Sequence, residues 1–221
     1  MAAPCVIALG FFDGVHIGHA ALLNKVKERA KEISAVPSVL SFDIHPDKMV
    51  FGNDVELINS SACKTEILRK RFGINDTVYL HFNYRLMHMP WDEFIDSLVH
   101  ELNICWIVVG HDFSFGYKGT GNPALLTEYC REHNIGIDVI PAIQLDGVTV
   151  SSTIIRKFLK DGDIRNANRF LGHNEDVVHQ ARAAAAVTAV VRVGTRQDGR
   201  PERRAGERGV VEGLGEIVRR I

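Results

Sequence analysis

The chain has 221 residues, of which 46% are hydrophobic and 24% charged, with a net charge of −1. This is globular composition, enough for one ordinary domain plus an appendage, and it excludes a dedicated nucleic-acid binder, which would be strongly basic. No apolar run reaches the ~20 residues of a membrane span, the short N-terminal stretch Met1–Leu9 lacks the basic start of a signal peptide, and Cys5, Cys63, Cys105 and Cys130 are too scattered for a disulfide frame or a zinc site, so a cytoplasmic protein with reduced thiols is expected.

Pro4 to Gly10 is a short apolar run, a buried strand by its composition. Gly18 to Ile33 has helical period, with Leu22, Leu23, Val26 and Ala30 near one face. Val36 to Phe42 is the next strand, and Ser61 to Phe72 a helix stopped by Gly73. Thr77 to Phe82 reads as a strand. Pro90 to Leu102 reads as a helix, with Pro in the first turn and Asp92 and Glu93 behind it. Cys105 to Gly110 is a continuous apolar strand of the kind covered on both faces. Asn122-Pro123 caps a helix from Ala124 to His133, Ile135 to Ile140 is a fifth strand, and Ser151 to Lys160 and Asp163 to Leu171 are helices.

Strands separated by helices predict an α/β protein with a parallel sheet, a Rossmann-like three-layer fold. Composition then changes. Met1–Gln180 carry 17 basic and 22 acidic residues, whereas Ala181–Ile221 carry nine arginines, no lysine, five acidic residues and no aromatic ring. The expected organisation is a domain over 1–175 and an Arg/Ala-rich, poorly ordered tail over 176–221, with too few apolar anchors for its own core. A net +4 segment without aromatics is a solvated face rather than a nucleic-acid site.

In parallel sheets the ligand sits beyond the carboxyl ends of the strands, so the segments that follow each strand carry the chemistry. After the first comes Gly10-Phe11-Phe12-Asp13-Gly14-Val15-His16-Ile17-Gly18-His19, running into a helix. This is neither a dinucleotide fingerprint nor a P-loop. Its glycines allow a tight turn with close backbone approach. His16 and His19 project the same way from the start of a helix whose N–H groups favour anions, which makes a phosphate site able to gain protons or hydrogen bonds. The alternatives are two structural histidines or a zinc site; zinc would need a third ligand, and none is evident.

After the fourth strand, Gly110 to Gly121 holds Asp112, Phe113, Phe115 and Tyr117 in a glycine-rich loop. Burial gives these rings no evident reason to be there, and a strand's carboxyl end favours a binding role. After the fifth, Ser151-Ser152-Thr153-Ile154-Ile155-Arg156 starts a helix with hydroxyls and places Arg156 as a charge clamp at the mouth of a phosphate pocket; capping alone is the plainer alternative. After the second, Ser41-Phe42-Asp43-Ile44-His45-Pro46 holds His45 extended, either as a structural turn or as a site residue.

These segments, in this order, resemble the adenylyltransferase module of prokaryotic FAD synthetases, the bifunctional riboflavin kinase/FMN adenylyltransferases of the HxGH nucleotidyltransferase superfamily. Gly10–His19 is similar to the family's GxFDGxHxGH stretch, Ser41–Pro46 to its FxPHP stretch (Ile44 replacing the usual proline), Gly110–Gly116 to its GxDFxFG loop and Ser151–Arg156 to its SSTxxR motif. Asp161-Gly162-Asp163 and Arg169–Gly172 resemble its closing helices, so the resemblance covers Pro4 to about His173. Where the family continues into a β-barrel kinase module, 48 residues follow His173 here, with Val177-Val178-His179 resembling at most its first fragment. The change to Arg and Ala reads as a shifted frame or a divergent end, and riboflavin kinase activity is expected to be absent.

The resemblance implies transfer of AMP from ATP to FMN, giving FAD and pyrophosphate, with Mg²⁺ accompanying ATP and no nucleic-acid or membrane partner. It implies catalytic roles for His16, His19 and Arg156. It places Gly10, Phe12, Asp13, Gly18, Asp112, Ser152 and Thr153 on ATP, and Phe42, His45, Pro46, Phe113 and Phe115 on the flavin, with no protein-held metal. The alternatives are another HxGH nucleotidyltransferase with a smaller phosphate acceptor, and an inactive flavin or nucleotide binder.

Overall fold

Strand β1 (Cys5–Leu9) is buried along its whole length, because it lies in the middle of the sheet with neighbours on both edges and helices on both faces. In the computed structural model, which describes residues 3–52 and 55–173, the chain runs from β1 through a 3₁₀ turn at Asp13–Val15 into α1 (Ile17–Glu32) and β2 (Val36–Phe42). There follow α2 (Pro46–Phe51), α3 (Ser61–Ile67), a π-helical turn at Leu68–Phe72, β3 (Asp76–Leu80), α4 (Tyr84–Met87), α5 (Trp91–Leu102) and β4 (Ile104–Gly110). The last described elements are α6 (Pro123–Glu132), β5 (Gly136–Ile140), the short strands β6 (Gln144–Leu145) and β7 (Val148–Thr149), α7 (Ser152–Lys160) and α8 (Ile164–Leu171).

The five main strands form one parallel sheet in the order β3-β2-β1-β4-β5, with Ala8 paired to Val39 on one side and to Val108 on the other. Alternation divides the strand residues between two cores. Val6, Ala8, Val39 and Val108 meet Leu22, Leu23, Val26 and Ala30 of α1. Ile7, Leu9, Leu40, Ile107 and Val109 meet Phe94, Ile95 and Leu98 of α5 and Leu126, Tyr129 and Cys130 of α6. A third cluster joins Ile155 of α7 to Phe170 and Leu171 of α8, with Ile58 and Val150. Burying a side chain of the size of Leu23 contributes roughly 1.5–3 kcal/mol, so α1 is held by packing more than by propensity.

The α/β architecture with a parallel sheet is the one expected. The expected helix at Ser61 to Phe72 is interrupted: α3 ends at Ile67, and a π-helical turn carries the chain to Gly73, which adopts a left-handed conformation. Four elements lacked an expectation. Alpha-helix α2 begins at Pro46 directly after His45, α4 is a single turn capped by Asn83, and β6 and β7 pair as a hairpin. Positive φ at both Asp146 and Gly147 suits that two-residue turn, and the Asp-Gly dipeptide was its available signal. The expected tail over 176–221, including Val177–His179, and the kinase expectation that rests on it lie outside the described residues.

The strand order sets where a ligand fits. From β1 the chain moves outward to β2, and from β4 outward to β5, so β1 and β4 are adjacent strands whose connections diverge. A crevice opens beyond their carboxyl ends. The loops that follow them are Gly10–His16 and His111–Asn122.

Candidate active site

The loop after β1 bends sharply because Phe12 takes left-handed angles (φ 56°, ψ 36°) and Val15 also has positive φ (42°). Such angles cost about 1–3 kcal/mol at each non-glycine residue and persist only where neighbours over-determine them. Those neighbours are polar and buried. Asp13, 2% exposed, accepts through Oδ1 from the backbone N–H groups of Ile58 (2.9 Å) and Asn59 (3.4 Å). Gly14 N–H donates to Asn59 Oδ1 at 3.1 Å, and the Gly14 carbonyl lies 3.0 Å from His173 Nε2. A Cβ at Gly14 would come within 2.9 Å of Ile58 Cδ1, so only glycine fits.

The loop delivers His16 in extended conformation as the N-cap of α1, its Nδ1 accepting from His19 N–H at 3.2 Å. That acceptor role places the His16 proton on Nε2. The His16 and His19 rings stack 3.6 Å apart. Burial is the main cause that lowers His16, to about 4. Burial also holds His19 well below its ordinary value, helped by repulsion from His16 and Lys64. His19 Nδ1 is buried without a hydrogen-bond partner. The pair is neutral near pH 7. Of the two expected capacities, gaining a proton or donating a hydrogen bond, the neutral pair has the second already in place.

Ser151 caps α7 by accepting from Ile154 N–H, and Ser152 Oγ donates to the Asp13 carbonyl at 2.9 Å. One turn on, Arg156 meets Asp13 Oδ2 through Nε (3.2 Å) and Nη2 (3.1 Å). Capping is present at Ser151, while Ser152 and Arg156 are both tied to Asp13. Asp13, expected to shape the nucleotide side directly, is the buried anchor of Arg156.

After β2, His45 caps α2, its Nδ1 accepting from Asp47 N–H at 3.2 Å, and its ring meets the Phe11 ring edge-on at 4.5 Å. Partial burial lowers its pKa. Phe42 packs against Phe82 with ring centres 5.6 Å apart. Phe113 is half-buried and stacks on Phe115 at 5.0 Å. Phe115 itself turns inward to Trp91 and Phe94 and bridges to Gly121, whose missing Cβ leaves room for its ring. The expectation that burial does not account for the loop's aromatics fails at Phe115.

A single cleft of about 450 Å³ joins these parts, within the range of small-molecule sites. Gly10, Phe12, Asp13, His16, Gly18, His19, Phe42, His45, Pro46, Asp112, Phe113, Ser152, Thr153 and Arg156 line it, and Phe115 does not. Asp112 stands at its edge with its side chain 80% exposed. Phe11 and the segment Ile140–Ile143 also line it, and neither was singled out in the sequence. Nor were the supports behind it: Ser41, Asn59, Lys64 and His173. A buried lysine or asparagine in a short helix or turn carries no sequence signal. Among the described residues no three His, Cys, Asp or Glu side chains are grouped to hold a metal ion, and no helix is long and apolar enough to cross a membrane.

The family model for FAD synthetase matches residues 1–154. A Listeria monocytogenes protein named FAD synthetase is 32% identical over 170 residues, covering 76% of this chain and 68% of the relative. The bifunctional riboflavin kinase/FMN adenylyltransferase of Pseudomonas fluorescens is 32% identical over 169 residues, covering 76% of this chain and 54% of its own length. The chain thus spans between about half and two thirds of these curated relatives. Among solved structures, one from Streptococcus pneumoniae described as a macrolide-efflux protein superposes with a TM-score of 0.70 at 25% identity, covering 78% of this chain and 56% of that one. It supports the fold.

Proposed function

The chain belongs to the FAD synthetase family, and on that premise we propose that it transfers the adenylyl group of ATP to FMN, giving FAD and pyrophosphate. The observation that carries this reading is that one cleft joins a neutral stacked histidine pair and an anchored guanidinium, taken as its phosphate end, to Phe11, His45 and Phe113, taken as its ring end. An oxygen of the FMN phosphate attacks the α-phosphorus of ATP. The bond from that phosphorus to the oxygen shared with the β-phosphate breaks, and pyrophosphate leaves with the electron pair. Such transfer depends mostly on positioning and charge stabilisation.

In this reading His16 donates its Nε2–H to an α-phosphate oxygen as charge grows there, and His19 shares the task. A neutral imidazole serves this as a donor without needing a proton from solvent. Arg156, held by Asp13, takes the β and γ phosphates with Ser152 and Thr153 and retains the leaving pyrophosphate. Gly10, Phe12 and Gly18 shape the backbone beside the triphosphate. Asp112 orients ATP or the Mg²⁺ that arrives with it. Phe42, His45, Pro46 and Phe113 frame the isoalloxazine ring, with Phe115 backing Phe113. The unit responsible spans 1–175, and the four free thiols suit a reducing, cytoplasmic setting.

The test is to incubate the purified chain with Mg·ATP and FMN and to measure FAD and pyrophosphate together. Pantetheine phosphate, nicotinamide mononucleotide and glycerol phosphate serve as rival acceptors. Equimolar FAD and pyrophosphate from FMN supports the proposal. Pyrophosphate release with a rival acceptor but not with FMN replaces FMN as the substrate, and no release with any acceptor leaves a binding protein.

A further inference from the structure

Behind the cleft lies a charged side chain that the mechanism above does not use. Lys64, in α3, is 1% exposed. Lysine is almost never buried this far unless its ammonium is partnered. Its Nζ donates to the Phe11 carbonyl and, at 3.0 Å, to Ser41 Oγ, and it lies 4.1 Å from the centre of the Phe11 ring. Ser41 Oγ donates to the same Phe11 carbonyl at 2.9 Å. One carbonyl of the β1–α1 loop is thus held by two side chains, from α3 and from β2.

The peptide bond is planar and trans, so drawing the Phe11 oxygen back towards α3 turns the Phe12 N–H the other way. This peptide leads directly into the left-handed turn at Phe12, which delivers Asp13 and then His16. The Phe11 ring, pinned over the ammonium, lines the cleft and packs edge-on against His45. Lys64 therefore reaches both ends of the cleft through one residue. Packing alone does not call for a charge here: replacing a buried ionic group by a well-packed apolar one is often neutral or stabilising. What lysine supplies, and an apolar side chain of similar length does not, is the grip on the carbonyl.

We propose that Lys64 is a positioning residue for adenylyl transfer, which sets the Gly10–Asp13 backbone and the Phe11 wall from behind without touching either substrate. The proposal rests on the adenylyl-transfer reading for its kinetic consequence and on geometry alone for its effect on the loop. Burial lowers the Lys64 pKa to about 8, against the attraction of Asp13. The other ionisable groups around it are His19 on α1, His45 ahead of α2 and Tyr79 on β3, whose ring centre is 5.7 Å away. The charge is lost as the pH of the free protein rises through about 8.

The experiment compares the full chain with its Lys64→Met variant in FAD formation across pH, in ATP binding by titration, and in amide hydrogen exchange. The expected result is a kcat lowered roughly tenfold or more with ATP affinity changed less than about threefold, because positioning acts on the transition state. The wild-type kcat/KM, which reports the free enzyme, declines above about pH 8, and the variant lacks that decline. Exchange at Phe12, Asp13 and Gly14 accelerates at least about tenfold in the variant, while β4 is unchanged. A folded variant whose kcat stays within about threefold of wild type overturns the proposal, as does a loss confined to ATP affinity. Should Lys64→Met not fold, Ser41→Ala decides: faster loop exchange with lower kcat supports the proposal, and unchanged values refute it. Should wild type form no FAD, the functional reading fails, and the exchange comparison alone still upholds or refutes the grip of Lys64 on the loop.

Discussion

At the phosphate end of the cleft, Asp13, Asn59 and His16 are buried, and half-buried polar side chains are tied to them: Arg156 to Asp13, Ser152 to the Asp13 carbonyl, and His19, through its N–H, to His16, while Asn59 accepts from Gly14 N–H. At the ring end, His45 and Phe113 are half-buried, His45 caps only a short helix, and Phe113 lies against the margin of the core, stacked on Phe115. The difference follows from what each end holds in the proposed reaction. Stabilising charge that appears during transfer requires dipoles fixed beforehand, since rearranging them during the reaction would cost as much as it gained. Holding a flat ring needs apolar area and tolerates small shifts.

The largest expected effect separates the two rings of one loop. Phe115→Ala should lower stability by about 3–5 kcal/mol, the usual loss for a buried aromatic, whereas Phe113→Ala should unfold nearly as wild type does and raise the KM for FMN. Urea unfolding with parallel kinetics checks this. Equal destabilisation by the two would mean that Phe113 is also a core residue, and the contrast between the ends would weaken.

At the phosphate end, His16→Asn keeps an acceptor suited to capping α1 but removes the imidazole donor. FAD formation should fall by roughly 10²–10³, as it does where one oxyanion donor is lost, with little change in the unfolding midpoint. A large fall in midpoint would assign His16 to structure rather than to transfer.

The third prediction concerns pH. Burial lowers His16 from its ordinary 6.5 to about 4. As pH falls through about 6.5 the unfolded chain takes up the proton before the folded one does, so stability is lost between about pH 6.5 and 4 and levels off below. A shift of that size corresponds to roughly 3 kcal/mol. His16→Asn should flatten this slope, and His45→Asn, at a ring less buried than that of His16, should flatten it less. Equal flattening by the two would erase the difference in rigidity drawn above.

The smallest effect is expected from Arg156→Lys, which keeps the charge but cannot hold Asp13 through two nitrogens and present a third edge. ATP affinity should weaken by about tenfold, roughly 1.4 kcal/mol, with FMN affinity unchanged. Calorimetric titration of each ligand checks it, and equal weakening of both would detach Arg156 from the triphosphate.

Much of this was legible from the amino-acid order. Alternating apolar strands and helical stretches determined a parallel α/β sheet, and the apolar face of α1 at Leu22, Leu23, Val26 and Ala30 is the face that is buried. The motif residues after the strands, Phe115 apart, also line one cleft, because a parallel sheet gathers the carboxyl ends of all its strands at one edge. Periodicity and strand order are local or cumulative properties, so a chain can be read for them.

Only the tertiary structure decided which way each side chain of those loops turns. Phe113 and Phe115 stand two apart in one glycine-rich loop, yet one lines the cleft and the other joins the core, because Gly121 makes room for the second ring. Asp13 carries in its motif no sign that it also anchors Arg156, which arrives beside it from 143 residues away. Lys64 and Asn59 sit in segments without a motif and become supports of the loop after β1 only when α3 packs against it. Burial of a polar group depends on which distant segments cover it, and that covering exists only once the sheet has assembled its layers.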